Sequence, residues 1–277
     1  MANFPARIHV LLASDAPLGL VIRRGPSKRV ATILWNRRSD EFQLGQWLKG
    51  RIYERRSDLS PDGKHWIYFA MNGQWESEAK GSWTAVARVP YLKALGMFPK
   101  GDCWNGGGLW TSNNEYWLNG GLGGGQAHTV LHDTKEVSRD KRFEPAENFG
   151  GECPGVYYPR LIRDGWRLVE TVETAKRKDI FEKPVKKSWL LRKIAHVESG
   201  SPDGKGCYWD EHQLICAKSE TQIDCPNWEW AEVDGKRLVW AIEGKLYCGK
   251  LGSNGLYDET QLYDFNQMDF KPIEAPY

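Results

Sequence analysis

Short apolar runs rich in aromatic and β-branched side chains alternate along this chain with clusters of Gly, Pro, Asp, Asn and Ser. Residues of the first kind favour pleated strands and those of the second kind favour tight turns, so the pattern predicts many short strands joined by turns. The clearest instance is Asp58 to Ala70, D-L-S-P-D-G-K-H-W-I-Y-F-A. Pro61 presets φ, Asp62 bonds the backbone ahead of it, and Gly63 accepts a positive φ, so Ser60–Gly63 is a turn. The strand that follows, His65 to Phe69, is large and apolar on both faces, as a strand buried between two layers is.

The same phrase returns at Asp234-Gly235 before Arg237–Trp240 and, more loosely, at Asp164-Gly165 before Arg167–Val169. Taken in order, a first unit has strands at Arg7–Ser14, Leu18–Arg23, Arg29–Trp35 and Gln43–Tyr53, with bends at Gly45 and Gly50. A second has His65–Phe69, Trp83–Val89 and Tyr91–Met97. A third has Trp104–Trp110, a turn at Ser112–Asn114, Glu115–Leu118 and a strand around His128–His132. A fourth has Val156–Ile162, Arg167–Val172 and Ser188–Ile194, with the charged stretch Lys176–Lys187 as an exposed loop. The fifth has Trp228–Val233, Arg237–Ile242, Lys245–Gly249 and Gln261–Phe265, followed by a tail. Leu44–Ile52 and Leu262–Phe270 share their apolar offsets and read as equivalent outer strands.

Turn landmarks at Asp15, Asp62, Asn113, Asp164 and Asp234 stand 47, 51, 51 and 70 residues apart. A period of about 40 to 50 residues is that of a propeller blade. The expected fold is therefore all-β, a five-bladed β-propeller forming one domain over residues 1–277. Ser201-Pro-Asp-Gly204 repeats the turn phrase within the fourth interval and is read as a turn inside an elongated fourth blade, the alternative being a six-bladed ring.

The phrase L-S-P-D-G-K followed by an aromatic strand, from Leu59 to Tyr68, resembles the TolB-like, WD-related β-propeller repeat. The resemblance implies blades around a channel, with loops at its two ends offering a surface to a ligand or partner. It brings no catalytic residue with it.

Composition agrees with many strands and turns: 14 Trp, 11 Tyr and 9 Phe accompany 29 Gly. The formal net charge is only +2, so no strong overall field draws the chain to nucleic acid. No run approaches the length of a membrane span, and the first residues lack the basic and apolar regions of a secretory leader, so the expected location is the cytoplasm. The six cysteines read as thiols rather than a disulfide framework. Cys207, Cys216 and Cys225, nine residues apart, match no zinc spacing.

Ser60–Gly63 departs from the sialidase-type Asp box, since nothing separates Asp62 from Gly63 and no Thr precedes Trp66. Glu115, Asp164 and Glu170 are the carboxylates a carbohydrate hydrolase would draw on, and sequence places no pair at the separation required. The run Gly120–Gln126 lacks both the third Gly of a dinucleotide loop and the Gly-Lys-Ser/Thr of a P-loop. His128 and His132 lie too far apart on a strand for one metal. No cofactor or metal is called for. The aromatic residues Trp104, Trp110, Trp117, Tyr157, Tyr158 and Trp166 fall near the turns of the third and fourth units and are the candidate binding residues. The expected function is a non-enzymatic binding or scaffold module for a protein, peptide or glycan partner; the alternative is a carbohydrate-active propeller hydrolase.

Overall fold

The computed structural model describes residues 4–26, 28–120, 134–150, 152–174, 176–186, 188–198, 205–253 and 255–277. Its elements are β1 (Arg7–Leu12), β2 (Leu18–Arg24), β3 (Arg29–Asn36), β4 (Glu41–Lys49), β5 (Arg51–Leu59), β6 (His65–Met71), β7 (Ser82–Arg88), β8 (Ala94–Pro99), β9 (Gly108–Trp110), β10 (Glu115–Leu118), β11 (Ser138–Arg139), α1 (Cys153–Arg163), β12 (Arg167–Val172), β13 (Arg177–Lys186), β14 (Trp189–Val197), β15 (Tyr208–Cys216), β16 (Thr221–Cys225), β17 (Trp230–Asp234), β18 (Arg237–Ile242), β19 (Lys245–Gly252) and β20 (Gly255–Asp264). They form five sheets, β1-β2-β3-β4, β5-β6-β7-β8, β9-β10-β11, β12-β13-β14-β15-β16 and β17-β18-β19-β20, each built of strands consecutive in the chain. The described pairs are antiparallel except β10 with β11. No helix among the described residues is long and apolar enough to cross a membrane.

The chain divides into two compact units, Met1–His9 with Leu161–Met268 and Val10–Arg160 with Asp269–Tyr277. In the larger unit the second sheet is buried on both faces. Trp66, Tyr68, Ala70, Ala85 and Ala87 pack with Leu11, Leu20, Ile22 and Val30 of the first sheet. Ile67, Val86 and Phe98 pack on the other side with Trp110, Tyr116 and Leu118 of the third. The double-sided hydrophobicity of His65–Phe69 thus has its cause in two neighbouring layers, each large side chain contributing about 1.5 to 3 kcal/mol of transfer free energy.

Ser60–Gly63 is the turn its composition requires. Gly63 N donates to Ser60 O at 2.8 Å, Ser60 Oγ donates to Asp62 Oδ1 at 2.7 Å, and Gly63 has φ of 73°. Three of the periodic landmarks are joined by hydrogen bonds here. Asp15 N donates to Pro61 O at 2.9 Å, and Asp62 N to Asn113 Oδ1 at 3.0 Å.

In the smaller unit Trp228 stacks on Trp240 at 4.9 Å, Trp240 stacks on Tyr247, and Trp189 Nε1 donates to Gly252 O. The chain's first described segment is held there by Ala6 N donating to Asn266 Oδ1 at 2.8 Å and Ile8 N to Glu229 Oε2 at 3.1 Å.

Several expectations are corrected. Val156–Ile162 is not a strand but lies in α1, where Pro154 occupies the first turn and Tyr157, Arg160 and Leu161 are buried at helical spacing. Lys176–Lys187 is not a loop. Arg177–Lys186 forms β13, in which Glu182 faces Arg192 in register with a 2.6 Å ion pair. Gln43–Tyr53 is interrupted at Gly50, a Cβ on which would stand 2.7 Å from Met71 O, and Arg51 begins the second sheet rather than ending the first. Strand structure ends at Asp264, so Leu262–Phe270 is no counterpart of Leu44–Ile52. The hairpin arms β15 and β16 were not foreseen as strands. The His128–His132 strand, the Gly121–Gln126 part of the glycine run and the Ser201–Gly204 turn lie outside the described residues.

Candidate binding site

The strand β5 reads R-I-Y-E-R-R-S-D-L, a charge-dense run among aromatic strands. Its register with β6 shifts between Tyr53 and Asp58. A bulge of this kind re-aims side chains and leaves backbone groups to find other partners. Arg160, on α1, supplies them by donating to Glu54 O at 3.2 Å and to Ser57 O. The helix that sequence had hidden therefore closes the irregular part of β5.

Charge gathers at this contact. Glu54 is buried, with Arg24 at 2.9 Å and Arg55 at 3.6 Å. Burial alone would raise its carboxyl pKa, but the Arg24 and Arg55 guanidinia outweigh that and hold it below the usual glutamate range. Arg56 donates from Nη1 to Cys103 O at 2.7 Å and Asn105 O at 2.6 Å, from Nε to Cys153 Sγ at 3.4 Å and from Nη2 to Glu152 at 3.4 Å. It thereby fixes the loop that carries Trp104. Gly107 in this loop must be glycine: its φ is 77°, and a Cβ would lie 1.9 Å from Arg56 O.

Outward from this buried layer the residues reach solvent. Arg51 is exposed and lies over the Tyr53 ring at 4.5 Å, while Trp104 is 62% exposed. The Tyr53 phenol pKa is pushed up, chiefly by burial, against the Arg51 and Arg56 charges. A protonated phenol beside guanidinia is a donor set for an anionic group, and an exposed indole offers a flat apolar face. Burial pushes the Cys153 thiol up despite Arg56, which keeps it protonated at neutral pH.

The six aromatic candidates are scattered by the fold. Trp104 and Tyr157 are brought to the arginine cluster, Trp104 on the loop held by Arg56 and Tyr157 with its ring 5.3 Å from Arg55 and 5.2 Å from Arg160. Tyr158, one residue on, turns to Phe149 instead. Trp110 is 1% exposed and packs against His65 and Tyr116. Trp117 is half-buried, edge-on to Phe143. Trp166 lies in the smaller unit, under Lys193 at 4.8 Å, with its indole donating to Glu232 at 2.8 Å. Of the acidic candidates, Glu115 is half-buried on β10, Asp164 pairs with Arg163 at 2.9 Å, and Glu170 is exposed on β12.

A second charged cluster, also unforeseen, surrounds Trp166. His212 Nδ1 donates to Trp228 O at 3.1 Å, which leaves Nε2 to accept from Lys193 Nζ at 3.4 Å; Asp210 lies 3.9 Å from that ammonium. Lys193 and His212 are each 1% exposed. The sequence signal for both clusters was charge at strand positions whose parity points inward: Glu54 between Ile52 and Arg56, and Lys193 between Leu191 and Ala195.

No protein-family profile and no curated protein matches the chain. Among solved structures it is similar to an uncharacterized protein from Listeria monocytogenes, at 9% identity and a TM-score of 0.30, over 94% of this chain and 66% of that one. It is also similar to the tricorn protease, at 11% identity and a TM-score of 0.23, over 92% of this chain and 22% of that one. The chain thus spans less than two thirds of either structure. What stands is an all-β architecture of five sheets.

Proposed function

We propose that the five sheets are the blades of a β-propeller of the TolB-like, WD-related kind, and that it works as a non-enzymatic binding module. Its partner is a protein, peptide or glycan that presents a carboxylate or another anion to Arg51 and Tyr53 and a flat face to Trp104. One observation carries the reading: Arg24 and Arg55 pair with buried Glu54, Arg160 bonds its backbone, and buried Arg56 holds the loop of the exposed Trp104, while Arg51 on the same strand is exposed. Fixed donors of this kind lose little freedom on binding, which favours affinity without chemistry.

Binding to the full chain should be measured calorimetrically with a uronic-acid oligosaccharide, its neutral counterpart, and an acidic and a neutral peptide. The acidic members should bind at least about tenfold more tightly at low salt, with affinity falling as salt rises. Arg51→Ala and Trp104→Ala should each weaken that binding about tenfold while the melting temperature stays put. Equal binding of acidic and neutral probes, or indifference to both substitutions, defeats the proposal. Turnover of a chromogenic glycoside that a single Asp or Glu substitution abolishes would replace it with the hydrolase.

A further inference from the structure

The segment Asp269–Tyr277, D-F-K-P-I-E-A-P-Y, forms neither strand nor helix, yet it is docked on the larger unit rather than trailing as a tail. The Phe270 ring lies 5.9 Å from Trp47 of β4, Ala275 is buried, and Gln46 Nε2 donates to Ile273 O at 2.7 Å. Tyr277 closes the set. Its hydroxyl donates to Lys93 O at 2.7 Å and accepts from Arg88 N at 3.1 Å, and its ring lies 4.5 Å from the Arg88 guanidinium and 5.3 Å from the Lys93 ammonium.

The surface beneath is built without help from the segment. Pro90 O accepts from Thr32 Oγ1 at 2.5 Å, Tyr91 O from Trp66 Nε1 at 2.8 Å and Leu92 O from the Tyr68 hydroxyl at 2.7 Å. These are three consecutive carbonyls held by side chains of the core, and the fourth, Lys93 O, is the one Tyr277 takes. Gly45 lets the Pro90 turn approach, since a Cβ there would be 2.1 Å from Pro90 O. Gln46 serves both sides: its Oε1 accepts from Leu92 N at 2.7 Å and Lys93 N at 3.1 Å, which aims its Nε2 at the segment. A preformed surface met by a segment through a few separable contacts has the layout of a receptor with its peptide.

We infer that the surface of β4 and the Arg88–Lys93 turn is a peptide-docking site, occupied here by the chain's own residues 269–277 and open to a partner peptide of the same chemistry. That partner carries an aromatic residue, then a proline-containing stretch, then Pro-Tyr, whose ring meets Arg88 and Lys93. Arg88 is already paired with Glu136, so net negative charge on the partner suits Lys93. The tethered copy has the advantage of high effective concentration, so a partner gains the site only when its own contacts are better or the tether's are weakened. The inference rests on other residues than the Arg51–Trp104 edge and stands or falls apart from it.

The test is anisotropy of a fluorescein-labelled peptide of residues 269–277 titrated with full-length protein. In a Phe270→Ala, Tyr277→Ala chain, where the tether is weakened and the surface intact, the peptide should bind saturably and at least tenfold more tightly than to wild type. Adding Gln46→Ala should reduce that binding at least tenfold, and a scrambled peptide should not bind. Should the doubly substituted chain fail to melt cooperatively, Tyr277→Phe removes only the hydroxyl and should still raise peptide affinity several-fold. Absence of saturable binding to the weakened chain, or binding indifferent to Gln46→Ala, overturns the inference. So does a dimer that free peptide does not dissociate, which would give the site to exchange between copies.

Discussion

In the larger unit the buried carboxylate of Glu54 lies among arginines whose layer continues outward to exposed Arg51 and the Trp104 loop, whereas in the smaller unit Lys193, Asp210 and His212 are closed over beside Trp166. Both are buried ionic clusters on strands, and both have an aromatic ring against a cation. They differ in whether the cluster has a rim. Where it does, the layer leads to groups that face solvent; where it does not, Lys193, Asp210 and His212 are all buried. Buried charge by itself therefore does not mark a site.

The comparison breaks first at Lys193. If the sealed cluster is structural, Lys193→Ala takes the cation from beside Asp210 and should destabilise the protein by about 3 to 5 kcal/mol in urea melts, with no change in ligand binding by the folded fraction. A folded Lys193→Ala protein of wild-type stability that fails to bind would give the sealed cluster the role assigned to the open one.

Glu54→Gln should cost less, about 2 kcal/mol, the order of a charge-assisted hydrogen bond. Its signature lies in pH. Glu54 has a depressed carboxyl pKa when folded, so its stabilisation is present above the unfolded value of about 4.3 and is lost as pH falls through the folded one. The smaller unit holds a glutamate of the opposite sign. Burial pushes Glu229 up, against bonds from Ile8, Gly244 and Glu243, so what it contributes is present at acid pH and lost as pH rises through its folded pKa. Melting curves from pH 3 to 7 should show a shallower acid fall for Glu54→Gln, and a relative gain toward pH 7 for Glu229→Gln. Parallel curves for all three proteins would remove the electrostatic contrast between the units.

The smallest effect separates the two turns. Gly63 and Gly235 have φ of 73° and 62°, so Val at either is strained and should cost about 1 to 2 kcal/mol. A Cβ at Gly63 would meet Leu18 at 3.0 Å, whereas Gly235 faces open space. Gly63→Val should therefore be the worse by about 1 kcal/mol in thermal melts. Equal losses would mean that Leu18 gives way freely.

Much of the fold was legible because turn chemistry is local. Ser60–Gly63 and Asp234-Gly235 announce themselves by residues that can do little else, and the run Arg167–Val172 after the Asp164-Gly165 turn matches β12 end to end. What was not legible depended on distant partners. Residues 177–186 look like a loop until Arg192 is known to face Glu182, and V-Y-Y-P-R-L-I reads as a strand until Pro154 and the burial of Arg160 against β5 are seen. At the site, Trp104 was within reach of sequence as an aromatic near a turn. The arginines were not singled out, because a run such as R-I-Y-E-R-R shows its meaning only when a bulge and a helix turn it inward. Residues 269–277 read as a tail for the same reason: their partners, Gln46 and Lys93, lie far back in the chain.

The bonds from Ala6 and Ile8 also set an order of events during synthesis. Their acceptors, Asn266 and Glu229, follow them by 260 and 221 residues. At roughly 5 to 20 residues per second, the amide of Ala6 waits on the order of 13 to 50 seconds after its own translation before its partner exists. The buried members of the core of Leu11, Trp66 and Ala87 all precede Arg88, so that core has most of that interval in which to form. The ribosome thus delivers the amides of Ala6 and Ile8 260 and 221 residues ahead of their acceptors, and the smaller unit cannot tie them down until that stretch has been made.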